Sequence, residues 1–195
     1  MKKIINENDP RVIKTRRLLL DSFVVLVRKK DFTSISVKDI TDSAQVNRAT
    51  FYAHFQDKYD ILEYMVIDTF MNLISKRIDI EAILNKETLR KIILFVCEYV
   101  ETVSNSCKRN YTTILSLMEE KVKLKLCDII YTILKKENGV IHKKDEKAAL
   151  IATMISSSIY DAASKWNRDG RATTVEALTE GVMSFIVPGI NTYSN

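Results

Sequence analysis

"VNRATFYAHFQDKYDIL", residues 46–62, sets Phe51, Phe55, Tyr52, His54, Arg48 and Lys58 within less than five helical turns. Groups with such opposed needs fit a short helix with two faces. Val46, Phe51 and Phe55 make the inward set, and Arg48, Ala49, Thr50, Tyr52 and His54 the outward one. Each outward type has a use against DNA. Arg48 can fork onto the O6 and N7 of guanine, and the methyl of Ala49 or Thr50 can meet a thymine methyl. Thr50 can also bond a base edge or a phosphate. Tyr52 and His54 can donate to phosphate oxygens, as can Lys58 from the start of the next helix, where backbone N–H groups add an anion site.

The flanking residues supply the frame. Asn47 is an acceptable cap for a helix from Arg48 to His54. "Gln45-Val46" is too brief for anything but a tight turn. Before it, Val37 to Ala44 reads as a helix that turns Val37, Ile40 and Ala44 inward. Ser36 stands three residues ahead of Asp39, a weaker relative of the capping box. Further back, Asp9-Pro10 opens a longer helix by offering an acceptor and then a residue with no N–H. Its stripe is Leu19, Leu20, Phe23, Leu26 and Val27, and "KKDF" ends it. Two short helices joined by a tight turn, after a longer support, describe a helix-turn-helix over residues 36–55.

Composition agrees with a helical protein. In 195 residues, 46% hydrophobic and 28% charged, there are only four glycines and two prolines, too few for a turn-rich β fold. The net charge of +5 is unevenly placed: residues 1–60 carry 12 Lys/Arg against 8 Asp/Glu, the remainder 18 against 17. A basic end on a nearly neutral body suits contact with phosphate, although a solvated charged face would account for the charge by itself. Cys97, Cys107 and Cys127 are odd in number and form no CxxC pair, which points to reduced thiols rather than a disulfide scaffold. "MKKIINENDP" is no signal peptide, and "FVVLV" is closed by Arg28, Lys29 and Lys30 far short of a membrane span. The expectation is a soluble, cytoplasmic protein with no membrane partner.

Asp57 caps a long helix expected from Lys58 to Ile78. Helical patterns continue through Thr88–Val103, Tyr111–Met118, Glu119–Glu137, Asp145–Asn167 and Thr174–Val187, separated by polar joins. No stretch alternates with period 2. The expected fold is all-α, with about nine helices.

"SVKDITDSAQVNRATFYAHFQDKYDIL" resembles the DNA-binding segment of TetR-type bacterial transcription regulators. The most specific piece is Thr50-Phe51-Tyr52-x-His54-Phe55-x-x-Lys58, followed by Ile61-Leu62, and "Phe32-x-x-Ile35-Ser36-Val37-x-x-Ile40" is similar as well. The resemblance spans roughly residues 9–69. It implies a three-helix DNA-binding domain there and a larger helical effector-binding and dimerisation domain over 70–195, with a boundary beside a helix shared by both. Carried across by position, it makes Ser36, Lys38, Arg48, Ala49, Thr50, Tyr52, His54 and Lys58 the DNA-facing residues. The chain departs from the family pattern at Gln45, where a turn glycine is usual, and at Ala53, where a second aromatic is common. A non-glycine residue at positive φ costs about 1 kcal/mol.

Other chemistries find no support. A metal site needs three or four ligands, and the only histidine besides His54 is His142, in a polar join; without the motif, His54 would be a structural histidine. Glu119-Glu120 and Asp145-Glu146 read as surface charges, and the glycines are scattered. No catalytic constellation, metal or cofactor is expected.

In the larger body, Ile151, Ile155, Ile159 and Trp166 share a stripe with small residues on one helix, and Leu178, Val182 and Phe185 share one on the last. These two stripes fit either an internal core or a two-fold four-helix bundle. The resemblance implies the bundle, hence a homodimer reading a palindromic operator in double-stranded DNA. It also implies a small-molecule pocket, for which Phe95, Tyr99, Tyr111, Met118 and Met154 are the candidates, and the scarcity of charge among them points to a mostly apolar effector. The expected function is a transcription regulator, a repressor released by that effector. An activator of the same fold, or a helical ligand-binding or protein-interaction module with no operator, stands as the alternative.

Overall fold

The computed structural model describes residues 9–78, 83–137 and 146–193, and these hold eight α-helices, two short 3-10 turns and no strand. The helices are α1 (Pro10–Lys29), α2 (Val37–Ala44), α3 (Arg48–His54), α4 (Lys58–Ile74), α5 (Lys86–Ser106), α6 (Tyr111–Glu137), α7 (Glu146–Arg168) and α8 (Val175–Tyr193). The all-α expectation holds. The count differs because Tyr111–Met118 and Glu119–Glu137 are one helix: no glycine, proline or cap stands at Met118-Glu119 to interrupt the backbone ladder. α8 also runs past Val187, since Pro188 removes only one ladder hydrogen bond and need not end a helix. His142 and Asp145 lie outside the described residues.

The chain forms two compact units. Among the described residues, one comprises those up to Asp68 together with Ser104–Met118; the other comprises those of Thr69–Val103 and those from Glu119 onward. The first therefore takes in a segment that the expected division at residues 69 and 70 leaves with the larger body.

In the first unit, Asp9 Oδ1 accepts from the Arg11 N–H at 2.8 Å with Pro10 at the first helical position, so α1 opens as expected. α1 buries Leu19, Phe23 and Val27; Leu20 and Leu26, on the shoulders of the stripe, are half-buried. Phe32, in the 3-10 turn Phe32–Ser34, meets the Phe23 ring edge-on at 6.3 Å and the Tyr59 ring at 5.3 Å. At the start of α4, Asp57 Oδ1 accepts from the N–H groups of Tyr59 and Asp60.

In the second unit, the Phe70 ring contacts Phe95 and Tyr99 edge-on, each with centroids 5.1 Å apart. Asn85 caps α5 by accepting from the Thr88 N–H at 2.8 Å. Between α7 and α8 the chain reverses through Gly170 at φ 76 and Arg171 at φ 59. Arg171 is held there by Asn167 Oδ1 and by an ion pair with Glu101. α7 and α8 pack together, with Ala148, Ala152, Ile155, Ile159 and Ala163 buried on the first and Val182, Met183 and Ile186 on the second.

Candidate nucleic-acid interface

The α2–turn–α3 corner is built from caps outward. Ser36 and Asp39 close a complete capping box: the Asp39 N–H donates to Ser36 Oγ at 3.2 Å, and the Ser36 N–H donates to Asp39 Oδ2 at 2.9 Å. The Ser36 hydroxyl also donates to that carboxylate, and Lys30 Nζ reaches its other oxygen at 2.6 Å. These donors, Lys30 first, hold the Asp39 carboxyl well below the usual carboxylate range. Asp39 thus stays ionised and keeps α2 anchored to the end of α1.

Gln45 ends α2 in the left-handed region, at φ 54 and ψ 40, with its N–H directed to the Asp42 and Thr41 carbonyls. A side chain stands where glycine would be unstrained. Two residues on, Asn47 Oδ1 accepts from both the Thr50 N–H at 2.7 Å and the Thr50 hydroxyl at 3.0 Å, which starts α3.

α3 is pinned by its rings. Phe51 is 0% exposed and Phe55 3%, and their centroids lie 5.9 Å apart. Tyr64 closes against Phe55 at 5.8 Å, and the Arg16 guanidinium lies over Tyr64. Val46, expected on the inward side, is half-buried at the edge of this seat.

The opposite face is open. Arg48, Ala49 and Tyr52 are exposed. The Arg48 side chain has no hydrogen bond or ion pair to another described residue. Lys38 is also exposed and pairs with Asp42 at 2.8 Å. Ser36 is exposed, but its one proton goes to Asp39. Thr50 is half-buried and has likewise spent its proton on Asn47, leaving a methyl and lone pairs. His54 is half-buried, and its Nδ1 is buried with no hydrogen-bond partner among the described residues. Burial, and secondarily the charge of Arg16, lowers its pKa, so the ring is neutral at pH 7.

Lys58 stands differently from its expected place. Its ammonium turns inward, donating to the Phe32 carbonyl at 3.1 Å and the Thr33 carbonyl at 2.9 Å, over the Phe32 ring at 4.9 Å. The carbonyls of the 3-10 turn compete with solvent for it and win. One N–H remains for another acceptor.

The remaining candidates divide. Phe95 and Tyr99 are buried beside Phe70 in the second unit. Tyr111 and Met118 belong to the first unit. Met154 is 60% exposed. It joins Ile151, Ile155, Phe185, Ile186 and Gly189 around an open groove of about 480 Å³. Among the residues proposed for a pocket, Met154 lines this groove; helical spacing identifies apolar positions without saying which face is covered. Among the seven proposed for self-association, Ile155, Ile159 and Val182 are buried inside the chain. Ile151, Trp166 and Leu178 are half-buried, and Phe185 is 74% exposed. Phe185 and Leu178 also edge a second groove of about 510 Å³ with Ala162, Ala177 and Gly181.

Asn110 escapes sequence reasoning altogether. It sits in the polar join "NSCKRN", yet it is 3% exposed and its carboxamide makes three hydrogen bonds to α1 and the turn after it. A polar residue in a polar join gives no signal of burial.

A three-helix unit with a three-residue join between two short helices, the second presenting Arg48 on its outer face, defines the helix-turn-helix class. Residues 19–65 match the model of the bacterial regulatory proteins of the tetR family. The segment is 41% identical over 59 residues to an uncharacterized HTH-type transcriptional regulator, YxbF, of Bacillus subtilis, covering 30% of this chain and 16% of that protein. A second curated relative is matched over 38% of its length, so the chain spans well under half of the curated relatives it matches. Solved structures are similar over nearly the whole chain. The TetR family repressor AlkX from Dietzia sp. is 16% identical with a TM-score of 0.60, over 91% of this chain and 95% of that one. FadR from Bacillus subtilis, in complex with stearoyl-CoA, is 20% identical with a TM-score of 0.54, over 89% and 98%. These structural likenesses show the fold. Among the described residues no helix is long and apolar enough to cross a membrane.

Proposed function

We propose that the chain is a sequence-specific, DNA-binding transcription regulator that acts in the cytoplasm as a homodimeric repressor on a palindromic operator. One observation carries this: α3 buries Phe51 and Phe55 while Arg48, Ala49 and Tyr52 face outward with no protein over them. In this reading residues 9–69 are the DNA-binding domain and residues 70–195 the effector-binding and dimerisation domain. Arg48 reads guanine, and the methyls of Ala49 and Thr50 meet thymine. Tyr52 and His54 donate to phosphates, with His54 serving as a neutral donor through Nε2. Lys38 adds a charge once it leaves Asp42. Lys58 contributes its single remaining N–H, and Ser36 acts chiefly by holding the first turn of α2.

Self-association runs through the exposed side of α7 and α8, where Phe185 stands out with Met154 and the half-buried Ile151 and Leu178 flank it. An uncovered apolar patch of this kind suits a partner surface. The effector is a mostly apolar small molecule bound in the second domain near Phe95 and Tyr99. FadR's complex with stearoyl-CoA is a precedent among similar folds. Its action requires only a differential affinity for the two conformations, typically about 1–3 kcal/mol of coupling.

The direct test is salt. Binding to mixed-sequence duplex DNA should weaken linearly in log–log coordinates, with a slope set by the phosphates neutralised. Absence of duplex binding at 50 mM salt would favour a helical interaction module whose basic end is incidental.

A further inference from the structure

Helix α1 leaves its last carbonyls without intrahelical partners, as every helix does. Lys30 N–H satisfies the Leu26 carbonyl at 2.8 Å. Those of Val27, Lys29 and Lys30 are met from far along the chain. Asn110 Nδ2 donates to the Val27 carbonyl at 2.6 Å and to the Lys30 carbonyl at 2.8 Å, while Asn110 Oδ1 accepts from the Phe32 N–H at 2.7 Å, 78 residues back. Arg109 donates to the Lys29 carbonyl at 3.3 Å. Two carbonyls on one side of the carboxamide and an N–H on the other leave only one orientation of that group. Its own backbone is fixed by the Asn110 N–H bond to the Cys107 carbonyl at 2.8 Å.

The stretch held by Asn110 is also where both ends of the helix-turn-helix are tied. Lys30 Nζ anchors Asp39 and with it the Ser36 cap of α2. Phe32 and Thr33 offer the carbonyls that hold Lys58 at the start of α4. α3 lies between those two points in the chain, and it has only two turns of its own with which to resist tilting.

We infer that Asn110 is a positioning residue for DNA reading: its carboxamide fixes the α1–α2 joint and thereby the attitude in which α3 meets the duplex. The inference rests on the proposed DNA-binding function. Asn110 is too buried to touch DNA, so its contribution is orientation and not contact.

The test uses the full chain, Asn110→Asp and Asn110→Ala, each titrated with the same duplex below its unfolding midpoint and across a salt series. Asn110→Asp keeps an acceptor for the Phe32 N–H but sets an oxygen against two carbonyls. Both variants should bind DNA about ten- to a hundred-fold more weakly with the salt slope unchanged, because the phosphates contacted in the final complex are the same. Amide exchange at Phe32 and Asp39 should quicken in Asn110→Ala without DNA present. Folded variants that bind like the wild type, even with a lower melting temperature, would reduce Asn110 to a stabilising residue and overturn the inference. A shallower salt slope would also overturn it by making Asn110 part of a phosphate contact. Should the wild type itself bind no duplex, the functional reading falls and takes this role with it, while the exchange rates still report whether the clamp exists.

Discussion

The α2–α3 corner and the α7–α8 face are both amphipathic helix pairs, but they divide inside from outside by different means. At the corner, polar side chains do the sorting: Ser36, Asp39 and Asn47 are spent on caps, Phe51 and Phe55 go in, and Arg48 and Tyr52 are left over. On α7 and α8 the apolar stripe is wider than one buried face. Ile155, Ile159 and Val182 are covered while Met154 and Phe185 are not. The lesson is that a helix with few polar side chains on its flanks declares how much it wants to bury, but not against what.

Two phenylalanines test this contrast most strongly. Phe51→Ala should cost about 3–5 kcal/mol of stability, read from denaturant unfolding, because a fully buried ring leaves a cavity. Phe185→Ala should leave the fold of the protomer intact and weaken self-association instead, by about 2 kcal/mol, measured by sedimentation over a concentration series. If the two variants lost stability alike and remained dimeric, the division between core and partner surface would be wrong. Arg48→Ala should cost about 1–3 kcal/mol of DNA affinity and relax preference at one base pair per half-site; an unaltered selected sequence would remove its base-reading role.

Two smaller effects sharpen the picture of the corner. Gln45→Gly relieves a side chain at φ 54 but loosens the unfolded chain, so it should raise stability by no more than about 1 kcal/mol; a lower melting temperature would mean that the Gln45 side chain itself supports the turn. His54 gives a pH signature. Its pKa in the folded state lies below the ordinary value of 6.5, so above that value the neutral ring carries no penalty. As pH falls through 6.5 the unfolded chain takes up the proton first, and stability declines until the folded-state pKa is passed. Melting temperature should therefore fall between pH 7.5 and pH 5.5, and His54→Gln should flatten that fall.

The helix starts between residues 9 and 57 were legible because their signals are local. Asp9-Pro10, Ser36 with Asp39, and Asn47 each act within four residues, so the ends of α1, α2 and α3 could be read directly. What escaped depends on contacts far apart in the chain. Lys58 reaches back 25 residues to the Thr33 carbonyl, and Asn110 reaches back 83 to that of Val27. Neither spacing leaves a trace in periodicity. The unbroken run of α6 through Met118 is a different case: no glycine, proline or cap stands at Met118-Glu119, so nothing there ends the helix.

Selection of bound fragments from random duplex DNA, by the wild-type chain and by Arg48→Ala in parallel, tests the central claim most directly. The wild type should enrich a palindrome whose half-sites are read together by two copies of α3, about 34–36 Å or a multiple apart, and Arg48→Ala should keep the symmetry while losing a base. A pool that remains random after selection, or a motif without two-fold symmetry, would contradict the account.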